Sequence, residues 1–343
     1  MLKHIRGRAF HITLLLALTL TAGNAQALGN DWLNKVLERR TLNCGVSKSI
    51  AGLAAQDASG QWSGMDVDFC RALGAALFGN EARIRYLPLS AVERFPALLA
   101  GRVDLIAGGT TWTLAREIGL KVAFVGPVMF SSQRVLVRAD SGITSLAQLD
   151  ARPICLVRAT THLQHLQGYF ELARWRFDPQ LRDSFLDARA AFDAGECDAL
   201  SADEVALAGV QAPADGAPGY QLLPETVSSE PLSAVVAGNQ QNWERVVRWV
   251  LFMLIAAETN GIDQQTAATL TAGSRADTLA AQARRYGKAL GLDPGWAERA
   301  VAAAGHYGEI FERNLGRHSP AGLSRGQNRP WNQGGMLYAP PLH

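Results

Sequence analysis

The sequence predicts an α/β protein whose sheet is mostly parallel and whose length allows two domains. Three observations predict it. Short apolar runs alternate with stretches of helical periodicity, the pattern of parallel strands whose faces are covered by helices. The 343 residues are 48% hydrophobic and 19% charged, an ordinary globular composition with enough chain for two cores. The stretch 101–124, GRVDLIAGGTTWTLAREIGLKVAF, passes from a buried strand through a glycine turn into a helix, and such a turn lets a ligand approach the backbone closely.

The first 27 residues read as a secretory signal peptide. Lys3, His4, Arg6 and Arg8 form its positive end, Ile12 to Leu20 is an apolar core too short to span a bilayer, and Ala25-Gln26-Ala27 is a cleavage site. The mature chain is therefore expected in the periplasm. Its formal charge of +2 falls to −1 once Lys3, Arg6 and Arg8 are removed, leaving 30 basic against 31 acidic residues. A near-neutral protein offers no basic face to nucleic acid or to a membrane surface. The most apolar later stretch, Trp249 to Ala257, is short and flanked by Arg248 and Glu258, so it reads as a buried helix.

Trp32 to Arg40 is a short opening helix and Leu42 to Val46 a first strand. Ser47 to Gln61 is small and polar, a loop at the strand's C-terminal edge, where ligands bind in open α/β sheets. Asp66 to Phe78 carries Val67, Ala72, Leu73, Ala76 and Leu77 on one helical face. Ile84 to Leu87 is a second strand and Ala91 to Ala100 a helix. Val103 to Ala107 is a strand that Gly108-Gly109 breaks, and a helix opens around Leu114. Thr110, Thr111 and Thr113 at that helix start suit an anion or a polar head group. Arg116, five residues after Thr111, offers a planar fork that matches a carboxylate. Pro127 to Val137 is extended. Ile143 to Leu149 holds a helical turn and Ile154 to Val157 a strand, which Arg158-Ala159-Thr160-Thr161 turns into a helix starting near His162. His162 and His165 are three apart, but no third ligand accompanies them. They read as a solvated or N-terminal helix face, and no metal is expected. Phe185 to Asp193 is helical. Ala199 to Ser201 is a strand ending at Ala202-Asp203, where Asp203 can cap the helix holding Val205 to Gly209. Gln211 to Gly219 is a loop, and Tyr220 to Leu223 and Ser228 to Val236 are extended. Gln241 to Asn260 is a long helix with an apolar stripe. Residues 264–343 form a helical extension that contains a helix from Gly287 to Ala304.

Six pieces in order carry a resemblance: LNCGVS (42–47), GMDVDFCRALGAALFG (64–79), LSAVERFPALLAGRVDLI (89–106), TTWT (110–113), YGEIFERNLG (307–316) and GGMLYAPPL (334–342). The chain resembles the periplasmic amino-acid-binding proteins of ABC transporters, in particular the general L-amino-acid-binding subgroup, over nearly the whole mature length. The resemblance implies a two-lobed periplasmic-binding-protein fold of type II. Lobe 1 would take residues 28–132 and, on its return, 233–263; lobe 2 would take 133–232; and a helical extension, 264–343, would pack on lobe 1. Hinge crossings are expected near Ser131 to Val135 and Pro231 to Val235. By the same resemblance Arg116 would hold the α-carboxylate of a free L-amino acid, helped by hydroxyls and amides around Thr111, Thr160 and Thr161. Asp203, Thr111 and the Gly109 carbonyl would hold the α-ammonium. Ile50 stands where the family often places an aromatic ring, and its aliphatic surface fits a pocket that tolerates varied side chains. Arg158 either reaches an acidic ligand side chain or sits on the rim; the rim is favoured. Ala159 replaces the family's usual glycine, which alanine can do cheaply only at negative φ.

Such a protein closes on its ligand, delivers it to a membrane permease, works as a monomer and needs no cofactor. Cys44, Cys70, Cys155 and Cys197 show no C-x-x-C spacing, and their even number in an oxidising compartment suggests disulfides in one of three pairings. Cys44–Cys70 and Cys155–Cys197 are preferred, because each closes a loop inside one lobe and a cross-lobe bridge would restrict the hinge. Two other readings share the fold. One is a cyclohexadienyl-dehydratase-like enzyme, for which only Glu204 and Glu117 offer a cleft glutamate. The other is a periplasmic amino-acid sensor. No nucleophile elbow, P-loop or dinucleotide fingerprint is present.

Overall fold

The computed structural model describes residues 32–48, 50–79, 83–210, 219–269 and 275–343; the expected signal peptide lies outside them. The strands are β1 (Leu42–Ser47), β2 (Ala55–Gln56), β3 (Trp62–Ser63), β4 (Ile84–Leu89), β5 (Leu105–Thr111), β6 (Val122–Arg138), β7 (Pro153–Val157), β8 (Asp178–Arg182), β9 (Ala199–Asp203), β10 (Tyr220–Leu222) and β11 (Ser228–Ala237). Nine of them form one sheet in the order β4-β1-β5-β11-β6-β9-β7-β8, with β10 beside β6. β4, β1 and β5 run parallel, as do β9, β7 and β8. Between these trios lie β11 and β6, antiparallel to each other and to their outer neighbours. The sheet is thus parallel within each half and antiparallel at its centre. Helical crossovers build the parallel trios, and two long strands carry the chain from one half to the other. β6 pairs with β11 up to Gln133 and with β9 from Gln133 onward, so the expected crossings at Ser131 to Val135 and Pro231 to Val235 fall on these two strands.

Each half has its own core. Helices Met65–Phe78, Gln241–Thr259 and Trp296–Ala304 cover the first, with Leu73, Trp243 and Trp296 nearly inaccessible. Trp243 Nε1 donates to the Asp104 carbonyl at 2.7 Å, so the helix that returns from β11 is keyed to the start of β5. The second half packs Leu166 and Phe170 on one face of its sheet and Phe192 and Leu200 on the other. Disulfides join Cys44 to Cys70, with Cα atoms 6.4 Å apart, and Cys155 to Cys197, at 5.6 Å. Their sequence separations of 26 and 42 correspond to about 3.5 and 4 kcal/mol of loop-closure stabilisation.

Two expectations need correction, and one strand goes unpredicted. The strand after Val103 does not stop at Gly108-Gly109 but continues to Thr111, because β11 pairs with it at Thr110 and Thr111 and Gly109 absorbs the irregularity at φ +60°. β8 gives no sequence signal: DPQLR lacks an apolar run, and it exists as an edge strand because β7 supplies its pairing. Pro179 is tolerated at such an edge. The helix expected from Gly287 to Ala304 is broken by Gly291 at φ +76° and by Pro294, so helix Arg275–Gly287 ends and Trp296–Ala304 begins separately. The extension is fastened to the first half: Arg313 and Asn314 both donate to Asp68 Oδ2 at 2.7 Å. Its tail also grips a crossing strand. Asn328 Oδ1 accepts from Phe130 N at 2.7 Å and its Nδ2 donates to Phe130 O at 2.9 Å.

Candidate functional site

The C-terminal ends of β1, β5, β7 and β9 converge between the two halves around a cavity of about 80 Å³. Ser47 ends β1, Gly109 lies in the bulge of β5, Thr160 and His162 follow β7, and Asp203 ends β9; all five line the cavity. Parallel strands place such residues at one edge, which is why the site forms there.

A side chain at Gly109 is disfavoured on two counts. Its φ of +60° disfavours any side chain, and a Cβ would lie 2.7 Å from Ser47 Oγ. Its carbonyl already accepts a hydrogen bond from Arg94 Nη1 at 2.7 Å, leaving one lone pair for a further donor. Behind it, the buried Asp66 carboxylate accepts from both Ser47 N (2.9 Å) and Ser47 Oγ (2.7 Å). Burial pushes that carboxyl up to about 6, against the pull of the Ser47 bonds.

Arg116 stands beside the cavity and ties the halves together. Thr113 caps helix Leu114–Leu120, accepting from Arg116 N at 3.2 Å. The guanidinium donates to Thr111 O at 2.8 Å and, across the cleft, to Ala159 O at 3.3 Å. Burial lowers its pKa, and the nearby Glu230 and Asp203 counter the shift. Ala159 adopts φ +61°, the left-handed conformation that costs an alanine about 1–2 kcal/mol. The condition under which alanine would replace glycine freely is not met; the strain is held in the turn that aims this carbonyl at Arg116. A second bridge joins Thr111 Oγ1 and Thr161 Oγ1, 3.3 Å apart.

Asp203 occupies the N-cap position of helix Glu204–Ala208, yet its side chain makes no capping bond. Oδ2 lies 3.4 Å from His162 Nε2, and Oδ1 is buried with no hydrogen-bond partner among the described residues. His162 is therefore a cleft residue rather than part of a solvated face, and His165 Nδ1 lies 2.9 Å from Glu230 Oε1. Thr160 donates to Val157 O at 2.7 Å, which fixes the turn, and Ile50 supplies aliphatic wall. Arg158 is half exposed, pairs with Asp183 at 2.7 Å and is not among the residues that line the cavity.

Arg94 and Glu230 escaped sequence reasoning. Arg94 lines the cavity from helix Arg94–Leu99; burial and the neighbouring Arg116 push its guanidinium down to about 9, with Asp203 opposing. Nothing in SAVERFPALLAG marks that arginine as buried. Glu230 precedes a run, 232–236, that is buried at every position, the mark of a strand covered on both faces.

Residues 42–292 match the model of the bacterial extracellular solute-binding proteins, family 3. The general L-amino acid-binding periplasmic protein of Rhizobium johnstonii is 35% identical over 94% of this chain and 95% of its own. The glutamate/glutamine/aspartate/asparagine-binding protein of Rhodobacter capsulatus is 36% identical over 94% and 96%. A solved structure of an ABC transporter periplasmic binding protein from Brucella ovis, with glutathione bound, superposes with a TM-score of 0.85 at 36% identity, covering 91% of this chain and 99% of that one. With a cavity between two half-sheets and relatives matched end to end, the chain belongs to the bacterial extracellular solute-binding proteins of family 3.

Proposed function

We propose that this protein captures free L-amino acids in the periplasm by closing its two lobes around them, and hands them as a monomer to an ABC permease without chemical change and without a cofactor. The observation that carries the reading is Asp203 Oδ1, a buried acceptor with no partner among the described residues, in a cleft that also holds the guanidinium groups of Arg94 and Arg116. A cleft with an open carboxylate oxygen at one place and two arginines at another complements a zwitterion, since each buried charge then finds an opposite partner. In this reading Asp203 and the Gly109 carbonyl take the α-ammonium, and Arg116 takes the α-carboxylate, with Thr160 and Thr161 in the wall of the second turn. Thr111 joins them at the seam. The relatives' names point the same way: an amino acid and glutathione each present an α-ammonium and an α-carboxylate on one carbon. Ile50, Leu89 and Ala91 give part of the pocket wall an aliphatic surface.

Calorimetric titration of ligand-stripped protein with the common L-amino acids tests this. Wild type should bind several of them. Arg116→Ala should weaken all of them by about 10–100-fold, the worth of a charged hydrogen bond with its partner left behind. Asp203→Asn should weaken amino acids more than their deaminated analogues. Retained affinity in Arg116→Ala would remove the carboxylate assignment.

A further inference from the structure

Glu230 lies wholly buried on β11, opposite Ser131 of β6, where the chain crosses between the halves. Donors converge on it. Thr161 Oγ1 donates to Oε2 at 3.1 Å and Ser228 Oγ donates to Oε1; His165 Nδ1 lies 2.9 Å from Oε1 without making a hydrogen bond. The positive field of Arg116 reaches it as well. Both of its oxygens accept from hydroxyls, and as a carboxylate the group has no proton to give back.

We propose that Glu230 is a positioning residue that fixes the direction of the hydroxyl chain at the ligand site and thereby selects an α-ammonium over an uncharged α-substituent. The inference rests on the amino-acid-binding reading above. Thr161 has one hydroxyl proton, and Glu230 takes it. Thr161 can then face Thr111 only as an acceptor, so across the 3.3 Å between the two hydroxyls Thr111 is the donor. With its proton spent on Thr161, Thr111 keeps only lone pairs for a ligand. It serves a donor such as the ammonium group and offers nothing to a carboxylate. The same logic bars Thr161 from donating its hydroxyl to the ligand. The carboxylate end is left to Arg116 and backbone amides, and the hydroxyl chain adds to the ammonium end. Because Thr111 and Thr161 come from opposite halves, this polarity is set only when the halves meet.

The test compares L-alanine with L-lactate, which differ in ammonium against hydroxyl, by calorimetry on wild type, Glu230→Gln, Thr161→Val and the double variant, with thermal unfolding as the check on folding. In wild type alanine should be favoured. Thr161→Val frees the Thr111 proton while leaving Glu230 in place, and should reduce the alanine-to-lactate preference by about 10-fold. Glu230→Gln should reduce it similarly, and the double variant should show no further loss, because the two act on one chain. If Thr161→Val weakens alanine and lactate equally, Thr161 donates to the carboxylate and the proposal is overturned, whether or not Glu230→Gln folds. Additive losses in the double variant would overturn it too. Failure of wild type to bind alanine or any other common L-amino acid would overturn both this inference and the function it rests on, whereas an unchanged preference in the variants would overturn this one alone.

Discussion

Asp66 predicts a pH dependence of stability whose size and sign can be worked out. Its carboxyl is 3% exposed, in the first turn of helix Met65–Phe78, and its folded-state value of about 6 compares with the ordinary 3.8. Desolvation outweighs the two bonds from Ser47. Between these values the folded state holds the proton more tightly than the unfolded state, so stability is fully present below about pH 4 and declines as pH rises through 6. At 1.36 kcal/mol per unit the loss is ~3 kcal/mol by pH 7. Asp66→Asn cannot ionise, and its amide oxygen can still accept from Ser47. The variant should match wild type near pH 4 and exceed it by ~3 kcal/mol at pH 7. Urea unfolding of both proteins at pH 4, 5, 6 and 7 reads this directly, since the other titrating groups cancel in the difference. Parallel profiles, or an Asn variant weaker than wild type at pH 7, would show that Asp66 is solvated or charge-paired in the folded state and that the reasoning fails.

Other substitutions probe the backbone and the staples. Ala159→Gly removes left-handed strain worth about 1–2 kcal/mol and adds about 0.5–1 kcal/mol of unfolded-state entropy, so thermal unfolding should show a gain of up to ~1 kcal/mol, while Ala159→Val should lose stability. Asn328→Ala strips the Phe130 N–H and C=O of their side-chain partners and should cost ~2 kcal/mol in denaturant unfolding; no change would mean that water replaces the side chain. Replacing Cys155 and Cys197 together by serine should lower stability by about 4 kcal/mol, and mass spectrometry without reductant should find bridges at Cys44–Cys70 and Cys155–Cys197 in the exported protein.

Much of the fold was legible because its signals are local. Helix Phe185–Asp193 follows from periodicity, and the turns after β5 and β7 from their small residues. What escaped depended on partners far along the chain. β8 needs β7, and the continuation of β5 through Gly109 needs β11, more than a hundred residues away. Within the site, residues at strand ends were legible because chemistry and position coincide there: Gly109, Thr160 and Asp203 all reach the cavity. Arg158, for which the rim is the favoured reading, pairs with Asp183 outside the cavity lining. Arg94 could not be found, since burying an arginine requires the Gly109 carbonyl and the Asp203 charge to converge on it, and neither lies near it in sequence.

The bonds that close the cleft are partly the protein's own. Arg116 reaches Ala159 O and Thr111 meets Thr161, both pairs spanning the halves, and the strain at Ala159 is held where it aims a carbonyl across the gap. In the proposed reading, closure draws on protein–protein contacts that any ligand shares, and the ligand contributes only its differential affinity for the closed form. Such a division favours breadth. If the bridges made by Arg116 and Thr161 supply most of the closing free energy, ligands with different side chains need only bring the common zwitterion to the Asp203 end and the arginine end. The converse also follows. A variant that weakens the bridges without touching the Asp203 end should lower affinity for all amino acids by one factor, since Kd rises as the competent population falls. A factor that varied with the ligand side chain would place the side-chain wall, Ile50 included, in control of closure.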